Sequence, residues 1–135
     1  MKLKIKFKYF SILAIFISFY FQSGGVLASV GAILQGLDKV TARIETIEAL
    51  NDKPIQFGSL RILVRTCVKK PPEELPESAT FLEITDVRAG EEGIPVFSGW
   101  MFASSPSLSA MEHAVYDVWV VDCIKKSSDN SSSSR

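Results

Sequence analysis

Apolar and polar residues alternate with period two over several short stretches of this chain, and no long run repeats at the helical period. In residues 38–48, Val40, Ala42 and Ile44 fall on one side and Lys39, Thr41, Arg43 and Glu45 on the other. That pattern predicts a half-buried strand. The phase slips at Thr46 and Ile47, which predicts a bulge or the strand's end, and Asn51-Asp52-Lys53-Pro54 reads as a turn. Residues 55–57 form a short predicted strand closed by Gly58-Ser59. Residues 60–68 form a stronger one, with Ile62, Val64 and Val68 on one face and Arg61, Leu63, Arg65 and Cys67 on the other. The segment KKPPEELPES that follows is rich in proline and charge, and proline donates no ladder hydrogen bond, so it reads as a solvated connection.

Residues 80–88 give the next strand, ended by Ala89-Gly90-Glu91-Glu92-Gly93, a turn with two glycines for positive φ. Residues 96–103 are apolar on both faces, as in a strand covered on both sides. Residues 104–114 form a loop, in which Ser109 could cap one helical turn. Residues 115–124 form the last strand. Residues 29–36 are bracketed by glycine and show no clear period. About six strands at roughly ten-residue spacing, joined by polar turns, predict an all-β antiparallel sandwich or small barrel-like domain. The stretch 96–124 holds both tryptophans, the only histidine and one of the two cysteines, and the rest of the domain is expected to serve it.

The chain's start changes this picture. Lys2, Lys4, Lys6 and Lys8 precede an apolar run over residues 10–21, then Gln22-Ser23-Gly24-Gly25 and Val26-Leu27-Ala28. This is the layout of a signal helix, with cleavage expected after Ala28. The apolar run, at about 12 residues, is shorter than the roughly 20 a membrane-crossing helix needs. An uncleaved anchor is the alternative reading, and the only expected membrane contact. Either way the remainder, a single β domain over 29–124, is expected outside the cytoplasm. The whole chain has 15 basic and 15 acidic residues. The segment 1–28 takes four lysines and no acid, which leaves eleven against fifteen, a net charge of −4. Without a basic face to displace counterions from phosphates, nucleic acid is not an expected partner. Residues 125–135 have no apolar side chain and are expected to be disordered.

Two thiols, Cys67 and Cys123, in an exported chain predict a disulfide, since a redox pair usually shows CxxC spacing, absent here. Closing a loop of this length would take about 4 kcal/mol from the unfolded chain in the loop-entropy account. If the bridge joined neighbouring strands, a parallel pairing would place Arg61 by Asp117. The antiparallel one would oppose Arg65 and Lys125, so charge favours parallel unless the bridge runs between sheets.

Candidate chemistry is sparse. His113 has Glu112 beside it, Ser104, Ser105, Ser107 and Ser109 nearby, and Asp117 as a conceivable orienting group. A serine nucleophile needs its base within hydrogen-bond reach, but there is no GxSxG elbow, and a loop hydrogen bond is the plainer role for His113. One histidine and two oxidised cysteines give no metal-ligand set, and no cofactor is expected. Trp100, Tyr116 and Trp119 are candidates for core packing, for sugar stacking or for protein contact.

The strings Phe97-Ser98-Gly99-Trp100-Met101-Phe102-Ala103-Ser104-Ser105-Pro106 and Val115-Tyr116-Asp117-Val118-Trp119-Val120-Val121-Asp122-Cys123 carry a resemblance, together with Leu37-Asp38-Lys39-Val40-Thr41 and Phe57-Gly58-Ser59-Leu60. Cys67 with the Pro71-Pro72-Glu73-Glu74 that follows adds to it. The chain resembles the small exported α-proteobacterial family catalogued as domain of unknown function two-one-five-five, over nearly all of residues 34–124. At 114, where many relatives carry proline, this chain has alanine. The resemblance implies a Gram-negative envelope address, periplasmic, and does not imply an activity, since none is established for the family. The reading is therefore a disulfide-stapled periplasmic β module that binds an envelope protein or assembly without catalysis. Its expected surface is the loop around residues 105–111 with its flanks: Trp100, Ser105, Pro106, Leu108, Met111, Glu112, His113 and Trp119. The alternative is peptidoglycan or other glycan binding, or weak glycan hydrolysis, through Trp100 or Trp119.

Overall fold

A computed structural model of the chain describes residues 27–126. The expected signal helix and nearly all of the expected tail lie outside those residues. Seven strands are present: β1 (Leu27–Asp38), β2 (Arg43–Leu50), β3 (Ile55–Phe57), β4 (Leu60–Lys69), β5 (Ser78–Asp86), β6 (Ile94–Phe102) and β7 (Tyr116–Lys125). A short 3-10 helix (Pro106–Ser109) joins β6 to β7. The strands make two antiparallel sheets, β2–β1–β7 and β3–β4–β5–β6. The first residues of β1, Leu27 and Ala28, pair with Lys69 and Val68 of β4 and tie the sheets together.

The all-β expectation holds, with one strand more than expected. The extra one is β1, over residues that carried no readable period. It is central, paired along most of its length with β2 and β7. Its small residues hide its alternation because neighbours approach closely: a Cβ on Gly36 would meet the ring of Phe57 and the end of Ile47. The strand expected over residues 38–48 is instead a hairpin turn followed by β2. Asp38 Oδ1 accepts the amides of Val40 (2.9 Å) and Thr41 (3.2 Å), and Ala42 takes φ 55°. Val40 and Ile44, expected on a buried face, are exposed. Local capping by an aspartate outcompeted a short alternation.

The core lies between the sheets. Ala32, Leu34, Ile47, Ala49, Val118 and Val120 face Leu60, Ile62, Val64, Leu82, Ile84 and Met101. β3 turns into β4 through Gly58-Ser59, with positive φ at Gly58 alone (56°), the two-residue hairpin that needs glycine first.

Two bulges decide where the cysteines point. The β4–β5 register shifts between Val64 and Thr66, leaving Arg65 as the extra residue. The β1–β7 register shifts between Ile33 and Leu34, leaving Val121 extra. Each bulge resets the alternation, so Cys67 joins the face of Ile62 and Val64, and Cys123 joins that of Val118 and Val120. The expectation that Cys67 sits with Arg61 and Leu63 is corrected accordingly. The two cysteines are bridged, with Cα atoms 5.6 Å apart, and the bridge runs between the sheets. β4 and β7 are not ladder neighbours, so the parallel pairing inferred from charge does not occur.

β6 is also corrected. Among the described residues it pairs only with β5 and is an edge strand; most of its residues are exposed or half-exposed, and no described element forms a second layer over its outward side chains.

Candidate binding surfaces

The residues expected to form one surface are dispersed. Met111 is 4% exposed and belongs to the core. Leu108, one residue from the end of the 3-10 helix, is 75% exposed, with Pro106 also on the outside. Ser105 is half-buried, and Glu112 is exposed. The helical turn expected after Ser109 forms earlier, preceded by Ser105, which makes no side-chain capping bond.

The side chain of His113 is buried, and its hydrogen bonds define its role. Nδ1 accepts the backbone amides of Val115 (3.2 Å) and Tyr116 (3.1 Å). Nε2 lies 3.2 Å from Asp86 Oδ2. A ring nitrogen that accepts two amides carries no proton, so the proton sits on Nε2 and is donated to Asp86. Asp86, at the end of β5, also accepts the hydroxyl of Ser59 (2.5 Å) and the Nε of Arg88 (3.1 Å). The Ser59 hydroxyl, aided by His113 and Arg88, outweighs burial and holds the Asp86 carboxyl below its ordinary value.

This arrangement cannot serve as a nucleophile–base pair. The serine bonds to the carboxylate rather than to the imidazole, and the ring's one free lone pair, on Nδ1, is committed to two backbone amides. Asp117, the expected orienting group, is not the histidine's partner. What the cluster does is pin the end of the 104–115 segment: Lys39 Nζ donates to His113 O (2.5 Å), and Lys39 N to Val115 O (2.8 Å). The imidazole stacks on Tyr116 (centroids 5.5 Å apart, 19° between planes), which meets Phe57 edge-on. A signal for this cluster existed only as polar residues at three strand ends, too unspecific to pair in advance.

Clefts flank the described domain. One of about 480 Å³ opens between the β1–β2 and β3–β4 hairpins, with Phe57 and Tyr116 beside Asp38, Arg43, Glu45 and Gln56. A second of about 310 Å³ is lined by Lys69, Glu77, Ser104 and Asp122. There Lys69 Nζ bonds both oxygens of Asp122 (2.7 and 2.8 Å), which also accepts the Ser78 hydroxyl. Burial pushes the Asp122 carboxyl up, but Lys69, the Cys123 amide and Ser78 together hold it below its ordinary value. Glu77 accepts both the amide and the hydroxyl of Ser104. Lys69, Asp122 and Glu77 thus already have partners within the protein. Among the described residues, no three His, Cys, Asp or Glu side chains are grouped to hold a metal ion. Nor is any described helix long and apolar enough to cross a membrane.

The two tryptophans lie on opposite outer faces. Trp100 pairs with Phe81 in register and in an edge-on ring contact (5.7 Å), on the outside of the four-stranded sheet. Trp119 alternates with buried Val118 and Val120 and so faces outward on the three-stranded sheet. There it pairs with Gln35 of β1, which in turn pairs with Thr46 of β2. The same outer face carries Ile33, Leu37 and Ile44, with Ile44 56% exposed, while the bulge residue Val121 lines the second cleft beside Asp122.

Residues 32–123 match a family described as an uncharacterized protein conserved in bacteria (DUF2155). The chain belongs to this family. A curated relative, an uncharacterized protein of Rickettsia prowazekii (strain Madrid E), is 32% identical over 87 residues, covering 64% of this chain and 56% of the relative. The match thus spans little more than half the length of that relative. No solved structure matches. The matched residues of this DUF2155 chain run from β1 to Cys123 and so include both cysteines and all the strands around the core.

Proposed function

We propose that this domain is a non-catalytic binding module of the bacterial envelope, placed there by its amino-terminal segment, and that it docks an envelope protein or assembly. The observation that supports the reading is the outer face of the β2–β1–β7 sheet. An antiparallel sheet with one face on a core ordinarily turns polar residues to water on the other. Here Trp119, Ile33, Leu37 and Ile44 occupy outward positions, with Ile44 exposed and Trp119 half-buried. Apolar groups kept outward across neighbouring strands favour a protein interface, and a tryptophan is a common anchor in one. The 105–111 loop is a poorer docking site than expected, because Met111 is spent on the core.

The test places a photo-crosslinking side chain at Ile44 in cells, with Arg61 on the opposite sheet as control. A discrete adduct from Ile44 and none from Arg61 supports the reading, and equal or absent adducts refute it.

One observation keeps a glycan reading in view: Gln35 is the cross-strand partner of Trp119 on the outer face, a pairing of amide and indole side chains that suits a sugar-stacking platform. Retention on purified peptidoglycan that is lost in Trp119→Ala would replace the protein partner with a glycan.

A further inference from the structure

Alternate residues of β2 face the second sheet. Ala49 and Ile47 are buried there, opposite Ala32 and Leu34 of β1. The same side continues into Glu45 and Arg43, opposite Gly36 and Asp38, with no register shift between. Core-facing positions thus change from apolar to charged towards the β1–β2 turn, and there the cleft of about 480 Å³ opens between the hairpins. Its volume lies in the range of small-molecule sites. Arg43 and Glu45 are exposed, and among the described residues neither has an ion-pair partner. Asp38 spends Oδ1 on the turn amides of Val40 and Thr41. The wall of the cleft is aromatic. Phe57 packs against Gly36, and Tyr116 lies against Gly58, where a Cβ would meet its ring and hydroxyl. His113 stacks on Tyr116 and Phe57 meets it edge-on, so the ring is fixed before anything binds.

We propose that this cleft binds a short zwitterionic peptide by its two ends: Arg43 takes the carboxylate, Glu45 the ammonium, and Phe57 with Tyr116 an apolar side chain. The ligand class follows from the charges. An anion alone would meet the carboxylates of Asp38 and Glu45, and a cation alone would meet Arg43. A molecule carrying both signs pairs with each. The guanidinium fork matches a carboxylate with two parallel hydrogen bonds, and Glu45 is the acid not committed to the turn. Length follows from the strand. Residues two apart on one side of a strand stand about 7 Å apart, and an extended dipeptide spans about 7 Å. A single amino acid carries both charges on one carbon and is too short for that span. The site lies on the side of β2 away from Ile44 and the proposed docking face, so either reading can fail without the other.

The test is calorimetric titration of the chain, as purified from the cells that make it, with the dipeptide alanyl-phenylalanine, its N-acetyl form, its C-terminal amide and free phenylalanine. The dipeptide should bind with a Kd of about 0.1 mM, the affinity usual for a ligand of its size. Blocking either end should weaken binding at least about tenfold, the loss of one charge-assisted contact, and free phenylalanine should be weaker by as much. Arg43 and Glu45 are exposed, so Arg43→Gln and Glu45→Gln leave the domain folded, as circular dichroism checks. Arg43→Gln should abolish the preference for free acid over amide and keep that for free amine over acetyl. Glu45→Gln should do the reverse. No binding at millimolar dipeptide overturns the proposal. So does equal affinity for free and blocked peptides or for phenylalanine, and so do end preferences that survive both substitutions.

Discussion

Asp86 and His113 stand 3.2 Å apart, both side chains buried, at the junction of β5 with the segment that leads into β7. The carboxylate holds the imidazole proton while the ring's other nitrogen gathers two backbone amides. A histidine that looked like the chain's one candidate for chemistry is a structural pin. Its bonds fix where β7 begins, and hence where Tyr116 and the adjoining cleft sit.

Asp86→Asn should destabilise the domain at neutral pH, since the neutral amide is a weaker acceptor for Ser59, His113 and Arg88. The sign with pH follows from the lowered carboxyl. The stabilisation is complete above the ordinary aspartate range, about pH 4, and disappears as pH falls through the lower folded-state value. Thermal melts of both proteins should therefore differ most at neutral pH and converge in acid. A gap that widens on acidification would contradict the assignment.

Reducing the Cys67–Cys123 bridge should lower stability by about 4 kcal/mol, because the unfolded chain regains the freedom of a long loop. The double variant Cys67→Ala/Cys123→Ala adds the loss of two buried sulfurs from the core. Urea unfolding of the oxidised, reduced and double-variant proteins measures both effects, and the reduced forms should also show a steeper dependence on denaturant.

Gly58 and Gly90 both have positive φ, 56° and 81°, but their surroundings differ. A Cβ on Gly58 would collide with the ring and hydroxyl of Tyr116, while one on Gly90 meets nothing within 4 Å. Gly90→Ala should cost about 1 kcal/mol for the backbone alone. Gly58→Ala should cost about 3 kcal/mol or more, adding the displacement of Tyr116. Equal losses in denaturant titration would show that Tyr116 yields freely.

Export with cleavage after Ala28 would remove Leu27 and Ala28, the two residues of β1 that pair with β4, and keep all of its pairing with β2. Intact mass of the chain from the envelope fraction should match a start at Ser29. That form should melt within a few degrees of a chain retaining both residues, as expected when a loss is about 1 kcal/mol.

The class of the fold and most of its turns are legible in the order of residues alone. β-branched alternation bounded by Asn51-Asp52, Gly58-Ser59 and Gly90 could be read directly, because turn residues act through their own backbone. The cysteine pair was legible too, as two thiols in a chain with an export-like beginning. Only the tertiary structure decided which face each residue occupies. A bulge at Arg65 or Val121 is set by the partner strand, and one extra residue reverses every assignment beyond it. β1 was hidden because its small residues answer to neighbours distant in sequence, such as Phe57 against Gly36. Long-range packing likewise sent Met111 and His113 inward, made β6 an edge and set the two tryptophans on opposite sheets, which is why the single surface expected around residues 100–119 divides into two.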